Sequence, residues 1–68
     1  MTTLAEELPK QQARCREMLE HALELPPQSG AFLVMMLRRS LADAERAAAS
    51  GDLVEMLRAC KDLQEFKE

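Results

Sequence analysis

Apolar residues recur at alternating steps of three and four over the first third of the chain. With one glutamine among them, they fall at Leu4, Leu8, Gln11, Cys15, Met18, Ala22 and Leu25, and Leu19 and Leu23 widen the stripe. Such spacing places the stripe on one face of an amphipathic helix. We predict this first helix at about 3–24.

Pro9 leaves two possible starts for this helix, because proline removes a backbone hydrogen bond inside a helix. The helix either begins with Pro9 at its first position or begins earlier, capped through Thr3-Leu4-Ala5-Glu6, and bends at Pro9. We favour the second start, since Leu4 is in phase with the later stripe.

The segment Leu25-Pro26-Pro27-Gln28-Ser29-Gly30 interrupts the periodicity. Neither proline can continue a helical hydrogen-bond ladder, so we expect a stiff corner here. A second helix is predicted at about 30–49, capped by Ser29 or a neighbour. Its inward stripe is Leu33, Leu37, Leu41, Ala44 and Ala48, with Val34 at the edge.

The sharpest local signal is Ser50-Gly51-Asp52. Glycine favours the left-handed position after a helix, and the run from Asp52 to Glu55 has the pattern of a capping box. One helix therefore ends and another begins within about three residues, which predicts an αα-hairpin. The third helix is predicted at about 52–67, with Leu53, Met56, Leu57, Cys60 and Leu63 inward and Ala59 and Phe66 on one flank.

Composition supports a wholly helical chain. Strong helix formers dominate, and the β-branched residues are only Thr2, Thr3, Val34 and Val54. We predict an all-α fold: a three-helix up-down-up bundle with a C-terminal αα-hairpin, formed by one domain over residues 1–68. A chain of 68 residues is near the lower size limit for a single hydrophobic core.

Charge and hydropathy limit the partners and the cellular location that we expect for the protein. The net charge is −3, and acidic and basic residues are interleaved, so nucleic acid is an unlikely partner. No apolar run of 18 residues and no signal-peptide pattern occurs, which predicts a cytoplasmic protein without a membrane partner.

Few residues offer chemistry. His21 lies off the inward stripe among glutamates, and Cys15 and Cys60 lie on apolar faces without a CxxC pattern. We interpret His21 as solvated and the cysteines as free core thiols in one core layer. The sequence predicts no catalytic residue, no metal site and no cofactor, and we expect a protein that is not an enzyme.

One cluster does not fit a simple amphipathic helix. Phe32, Met35 and Met36 lie roughly opposite the inward stripe of the second helix. Either the Pro26-Pro27 corner and the segment 4–8 cover them, or they form a surface for association. The hypothetical interaction surface is Phe32, Met35, Met36 and Arg39, and the partner is a second copy in a homodimer or another protein.

The resulting prediction is a small protein-interaction or regulatory module that self-associates. The alternative is a nucleic-acid-associated accessory regulator that uses Arg38, Arg39 and Arg46. The predicted second helix, however, has few basic residues and few side chains of the kind that hydrogen-bond to DNA bases. Intrahelical pairs Arg39–Asp43 and Arg58–Asp62 are expected to account for much of the charge.

Two stretches carry a resemblance: Pro27-Gln28-Ser29-Gly30-Ala31-Phe32 followed by Met35-Met36, and the run from Ser50 to Ala59. They resemble short uncharacterised all-helical proteins of proteobacterial genomes, some in prophage-like regions. The resemblance covers about half of the chain and lies mainly in residues that form turns and cap helices. It implies a bacterial cytoplasmic protein and brings no activity, cofactor or site.

Overall fold

Three helices make up the part of the chain that the computed structural model describes, residues 3–67. They are α1 (Leu4–Leu23), α2 (Pro27–Ser50) and α3 (Leu53–Glu65), and each helix contacts the other two. The predicted all-α three-helix bundle is confirmed. The predicted domain 1–68 also includes positions 1, 2 and 68, which lie outside the described residues.

Helix α1 begins at Leu4, before Pro9, as the second of the two predicted starts requires. The Thr3 hydroxyl oxygen accepts a hydrogen bond from the Glu6 N–H at 3.3 Å, and Pro9 is an exposed residue inside the helix. An exposed proline is tolerated there because the carbonyl that it leaves without a helical N–H can face water.

Helix α2 begins earlier than the sequence indicates, and Ser29 is not its cap. Pro27 is the first helical residue, Pro26 precedes it in extended conformation (φ −56°, ψ 146°), and no side chain caps this end. Proline suits the first position because its missing N–H would have no helical partner and its ring fixes φ near the helical value. Ser29 instead lies in the first turn, where its N–H donates to the Pro26 carbonyl at 2.9 Å.

The turn between α2 and α3 has the predicted conformation. Gly51 is left-handed (φ 71°), and Asp52 Oδ1 accepts from the N–H groups of Val54 at 2.9 Å and Glu55 at 3.3 Å. One detail departs from a capping box: the Asp52 N–H donates to the Ser50 hydroxyl at 3.2 Å. The αα-hairpin is therefore closed by the side chains of Ser50 and Asp52.

The core runs along the axis between the helices. Its buried apolar residues are Leu8, Cys15, Ala22, Leu37, Leu41, Ala44, Ala47, Ala59, Cys60 and Leu63. The inward stripe of α2 ends on Ala47 and not on Ala48, which is exposed. Ala47 and Ala59 both line the groove between α2 and α3, so the last turn of α2 is turned toward α3.

Four leucines of the predicted apolar stripes are exposed: Leu23 (53%) and Leu25 (47%) near the corner, and two leucines of α3. Leu53 is 70% exposed and Leu57 is 56% exposed. Leu57 shares a groove with Thr3 and Leu4, so the described part of α1 begins opposite Leu57, and Leu53 lies one turn beyond it. Periodicity predicted α3 correctly. It could not show that α1 begins too late to cover the first turn of α3.

None of the helices described here combines the length and the apolar character needed to cross a membrane.

Candidate interaction surface

The apolar cluster on α2 is exposed. Phe32 is 71% exposed, Met35 is 57% exposed and Met36 is 38% exposed, and Arg39 continues the same side of the helix one turn later. On the opposite side of α2, Leu37 is fully buried in the core. The first half of α2 is therefore apolar on both its inner and its outer side.

The alternative in which this chain covers the cluster itself is wrong. Leu8 is buried in the core, and Leu4 lies in the groove with Leu57, near the start of α3. The corner does not fold over the cluster either, because Leu25 packs against Gly30. Helix α1 runs antiparallel to α2, so its first turns lie at the far end of the bundle from Phe32.

A groove between α2 and α3 adjoins the cluster. It has a volume of about 490 Å³ and is lined by Met36, Arg39, Ser40, Asp43, Asp62, Glu65 and Phe66. Met36 joins the groove to the exposed cluster, and half-buried Phe66 supplies a second apolar wall. The sequence did not indicate that Phe66, Asp62 and Glu65 belong to this surface. Only the antiparallel hairpin brings the end of α3 beside the start of α2.

The groove continues toward the turn along the same two helices. Its second part is lined by Asp43, Arg46, Ala47, Glu55, Arg58, Ala59 and Asp62. The first part is mainly acidic, with Arg39 beside three carboxylates, whereas the second part carries both signs of charge. Large apolar side chains are concentrated at the end with Met36 and Phe66. The surface is therefore amphipathic along its length.

The ion pairs differ from those expected at this surface. Asp43 pairs with Arg46 and not with Arg39, and Arg16 pairs with Glu45 at 3.4 Å across α1 and α2. Between residues 3 and 67, neither Arg39–Asp43 nor Arg58–Asp62 is within ion-pair distance. Asp43 has arginines at both i−4 and i+3, and spacing alone does not select between them.

Arg14 fixes the end of α3 that carries Phe66. Its guanidinium donates to the Leu63 carbonyl and to the Phe66 carbonyl, each at 2.7 Å. Its Nε also donates to Gln11 Oε1 at 2.9 Å, and the Gln11 amide donates to Glu7 Oε1 at 2.8 Å. The Leu63 carbonyl also accepts from the Phe66 N–H at 3.2 Å, so Arg14 adds a second, charged donor to it. A cation at this position also complements the negative end of the helix dipole.

The two cysteines lie apart from this surface. Both are free and buried, and the Cys15 thiol lies 3.5 Å from the Leu63 carbonyl. Desolvation by burial raises the pKa of Cys15, opposed by the charge of Arg14; desolvation also raises the pKa of Cys60, and the charge of Glu7 adds to it. A raised pKa keeps a thiol protonated and poorly nucleophilic at neutral pH.

The other residues considered for chemistry are not brought together. His21 is exposed on α1, and residues 3–67 contain no group of three or more histidine, cysteine or acidic side chains placed to hold a metal ion. These residues offer a surface for contact with a partner, in which exposed apolar side chains lie beside a charged groove.

Comparisons with protein-family models, with curated proteins and with solved structures found no match to this chain. The resemblance to short proteobacterial proteins therefore stays a prediction.

Proposed function

We propose that this protein is a small interaction module that self-associates through the surface formed by Phe32, Met35, Met36 and Arg39. The observation that supports it most is the 71% exposure of Phe32 on a helix whose other side already forms the core. Burying a large apolar side chain contributes about 1.5–3 kcal/mol, so exposing this cluster in a lone monomer forfeits a considerable stabilisation. Methionine side chains also repack readily against a partner.

A protein partner fits this surface better than nucleic acid. Arg46 is paired with Asp43, and Arg39 shares its groove with Asp43, Asp62 and Glu65. These carboxylates oppose the approach of phosphates, whereas a protein partner can complement both signs of charge. The free thiols are typical of the reducing cytoplasm, which is where we place the protein.

The oligomeric state tests the proposal. We expect light scattering to give a dimer whose population rises with concentration into the high micromolar range. The double substitution Phe32→Ser and Met36→Ser should give a folded monomer, because it removes apolar contact area without entering the core. Circular dichroism of the same samples shows whether the helices remain.

Leu57→Ser provides the matched control, since Leu57 is 56% exposed in the groove between α1 and α3, away from the outer side of α2. It should leave the dimer intact. A wild type that stays monomeric at high micromolar concentration contradicts the proposal, as does a double variant that still dimerises. Salt-dependent binding to duplex DNA that is lost on Arg38→Ala and Arg39→Ala would favour the accessory-regulator alternative instead.

A further inference from the structure

Helix α2 carries a second periodic stripe on its outer side. Seven exposed positions follow alternating steps of four and three along almost the whole helix: Gln28, Phe32, Met35, Arg39, Ala42, Arg46 and Ala49. We call this stripe the outer seam. Steps of four and three are the spacing by which one helix pairs with another over many turns. The inner stripe of α2 packs against α1 and α3. Among residues 3–67, no side chain of the outer seam forms a hydrogen bond or ion pair with either of these helices.

The size of the contact points to an interface longer than the apolar cluster. An apolar patch of three side chains such as Phe32, Met35 and Met36 covers about 300 Å², which matches the largest and often functional patch of a typical protein but is too small to hold a dimer by itself. A stable specific interface buries about 800 Å² on each partner. The outer seam runs for about 30 Å, so pairing along all of it supplies the additional area that the cluster lacks.

Side-chain size selects the direction of pairing. The first half of the seam carries Phe32 and Met35, and the second half carries Ala42 and Ala49. Two parallel copies would place Phe32 against Phe32 and leave alanine against alanine. Two antiparallel copies place large side chains against small ones, which is how helices interdigitate at constant separation.

Charge selects the same direction and a register. Parallel copies would set Arg39 against Arg39 and Arg46 against Arg46, and like charges placed opposite one another are destabilising. In an antiparallel pair with Phe32 opposite Ala49 of the second copy, Arg39 lies opposite Ala42 and beside Asp43 of that copy. The same register brings Arg38 of each copy toward Glu45 of the other; Glu45 pairs with Arg16 of its own copy at 3.4 Å, but its side chain stays 65% exposed and can accept a second basic partner.

We propose that a second copy of this chain pairs with the outer seam in antiparallel orientation, with Phe32 of each copy opposite Ala49 of the other. This inference rests on the self-association proposed above and assigns its geometry. The two-fold axis then crosses α2 between Ser40 and Leu41. Each copy contributes the same surface, so the contact closes as a dimer and does not propagate into a filament.

Cysteine cross-linking at two seam positions tests the orientation. In the antiparallel register the two copies of residue 42 are offset by about 5 Å along the helix axis, and the two copies of residue 28 by about 40 Å. A short bis-maleimide should therefore cross-link Ala42→Cys into a covalent dimer and leave Gln28→Cys monomeric on a denaturing gel. Reaction with a monofunctional maleimide checks that both new thiols are equally reactive.

Wild type is the background control, because its thiols are 0% and 4% exposed. Cross-linking of Gln28→Cys as well would show parallel pairing and overturn the inference. A dimer by light scattering that cross-links at neither position would place the interface elsewhere, so the inference fails while self-association stands. A monomer by light scattering overturns both.

Discussion

The two ends of the bundle are held together by different kinds of contact. At the turn end, Ser50, Gly51 and Asp52 join α2 to α3 through hydrogen bonds that span two to four residues. At the corner end, α1 reaches the other two helices: its Ala22 carbonyl lies against Gly30 of α2, and its Arg14 holds the end of α3. The turn end is therefore a local structure, and the corner end is a tertiary one.

This difference matters for the proposed function because the apolar cluster of the interaction surface lies at the corner end. Phe32 and Met35 follow directly after the close contact at Gly30, and Phe66 follows the carbonyl that Arg14 holds. A change in tertiary packing at this end would move the surface.

The largest effect on stability is expected from Gly30→Ala at the corner end. A Cβ atom at this position would lie 2.7 Å from the Ala22 carbonyl oxygen and 3.2 Å from Leu25 Cβ. Alanine normally stabilises a helix interior by about 1 kcal/mol over glycine, but forcing two backbones apart costs more. We expect a net loss of about 2 kcal/mol in the free energy of unfolding, measured by urea denaturation.

Ser29→Ala is the control for that experiment, since Ser29 is exposed in the same turn and its side chain caps nothing. It should change the free energy of unfolding by less than about 0.5 kcal/mol. A more stable Gly30→Ala protein would show that the helices are not in close contact at Ala22. A loss of about 1 kcal/mol in the free energy of unfolding of Ser29→Ala would show that the Ser29 side chain caps α2 after all.

The contrast between the ends also explains which parts of the fold the sequence predicts. Gly51 and Asp52 act on their own neighbours, so their pattern predicts the turn without reference to how the helices pack. The start of α2 depends on Pro27 at the first helical position, and serine and proline signals compete within four residues there. The exposure of Leu53 depends on where α1 begins relative to α3, which no local pattern contains.

The candidate surface was predicted only in part for the same reason. Phe32, Met35 and Met36 violate the amphipathic pattern of their own helix, and that violation is visible in the sequence. Phe66 and Glu65 join the surface only because α3 runs antiparallel to α2. Arg14 gave no signal, because an arginine near the inward stripe of α1 is indistinguishable from a solvated one until α3 ends beside it.

Arg14→Met tests the tertiary tie at the corner end and should have the next largest effect. It keeps a long apolar stem and removes the two hydrogen bonds of 2.7 Å to the Leu63 and Phe66 carbonyls. Hydrogen bonds from a charged donor contribute about 1.5–3 kcal/mol, and partial exposure of Arg14 lowers this. We expect a loss of about 1.5 kcal/mol and faster amide exchange in the last turn of α3.

Arg16→Met separates this tie from a general effect of charge. The Arg16–Glu45 pair is 3.4 Å long, with side chains that are 53% and 65% exposed. Exposed pairs of this kind contribute little, so the free energy of unfolding should hardly change. Equal effects of the two substitutions would show that Arg14 acts only through its charge. The hydrogen bonds to the carbonyls of α3 would then not contribute to stability.

The smallest effect is expected from Gly51→Ala at the turn end. Gly51 has φ 71°, a conformation that costs other residues about 1 kcal/mol, yet a Cβ atom there meets nothing within 4 Å. The loss should therefore be about 1 kcal/mol, arise from the backbone alone, and leave the proposed dimer intact. Gly51→Asn should cost less, because asparagine tolerates the left-handed region. Thermal denaturation of both variants and wild type at one protein concentration keeps the contribution of the proposed dimer to Tm the same, provided that each variant still dimerises. Equal stability of the alanine variant and wild type would mean that the turn is not held left-handed, and the description of the turn end as locally determined would then be wrong.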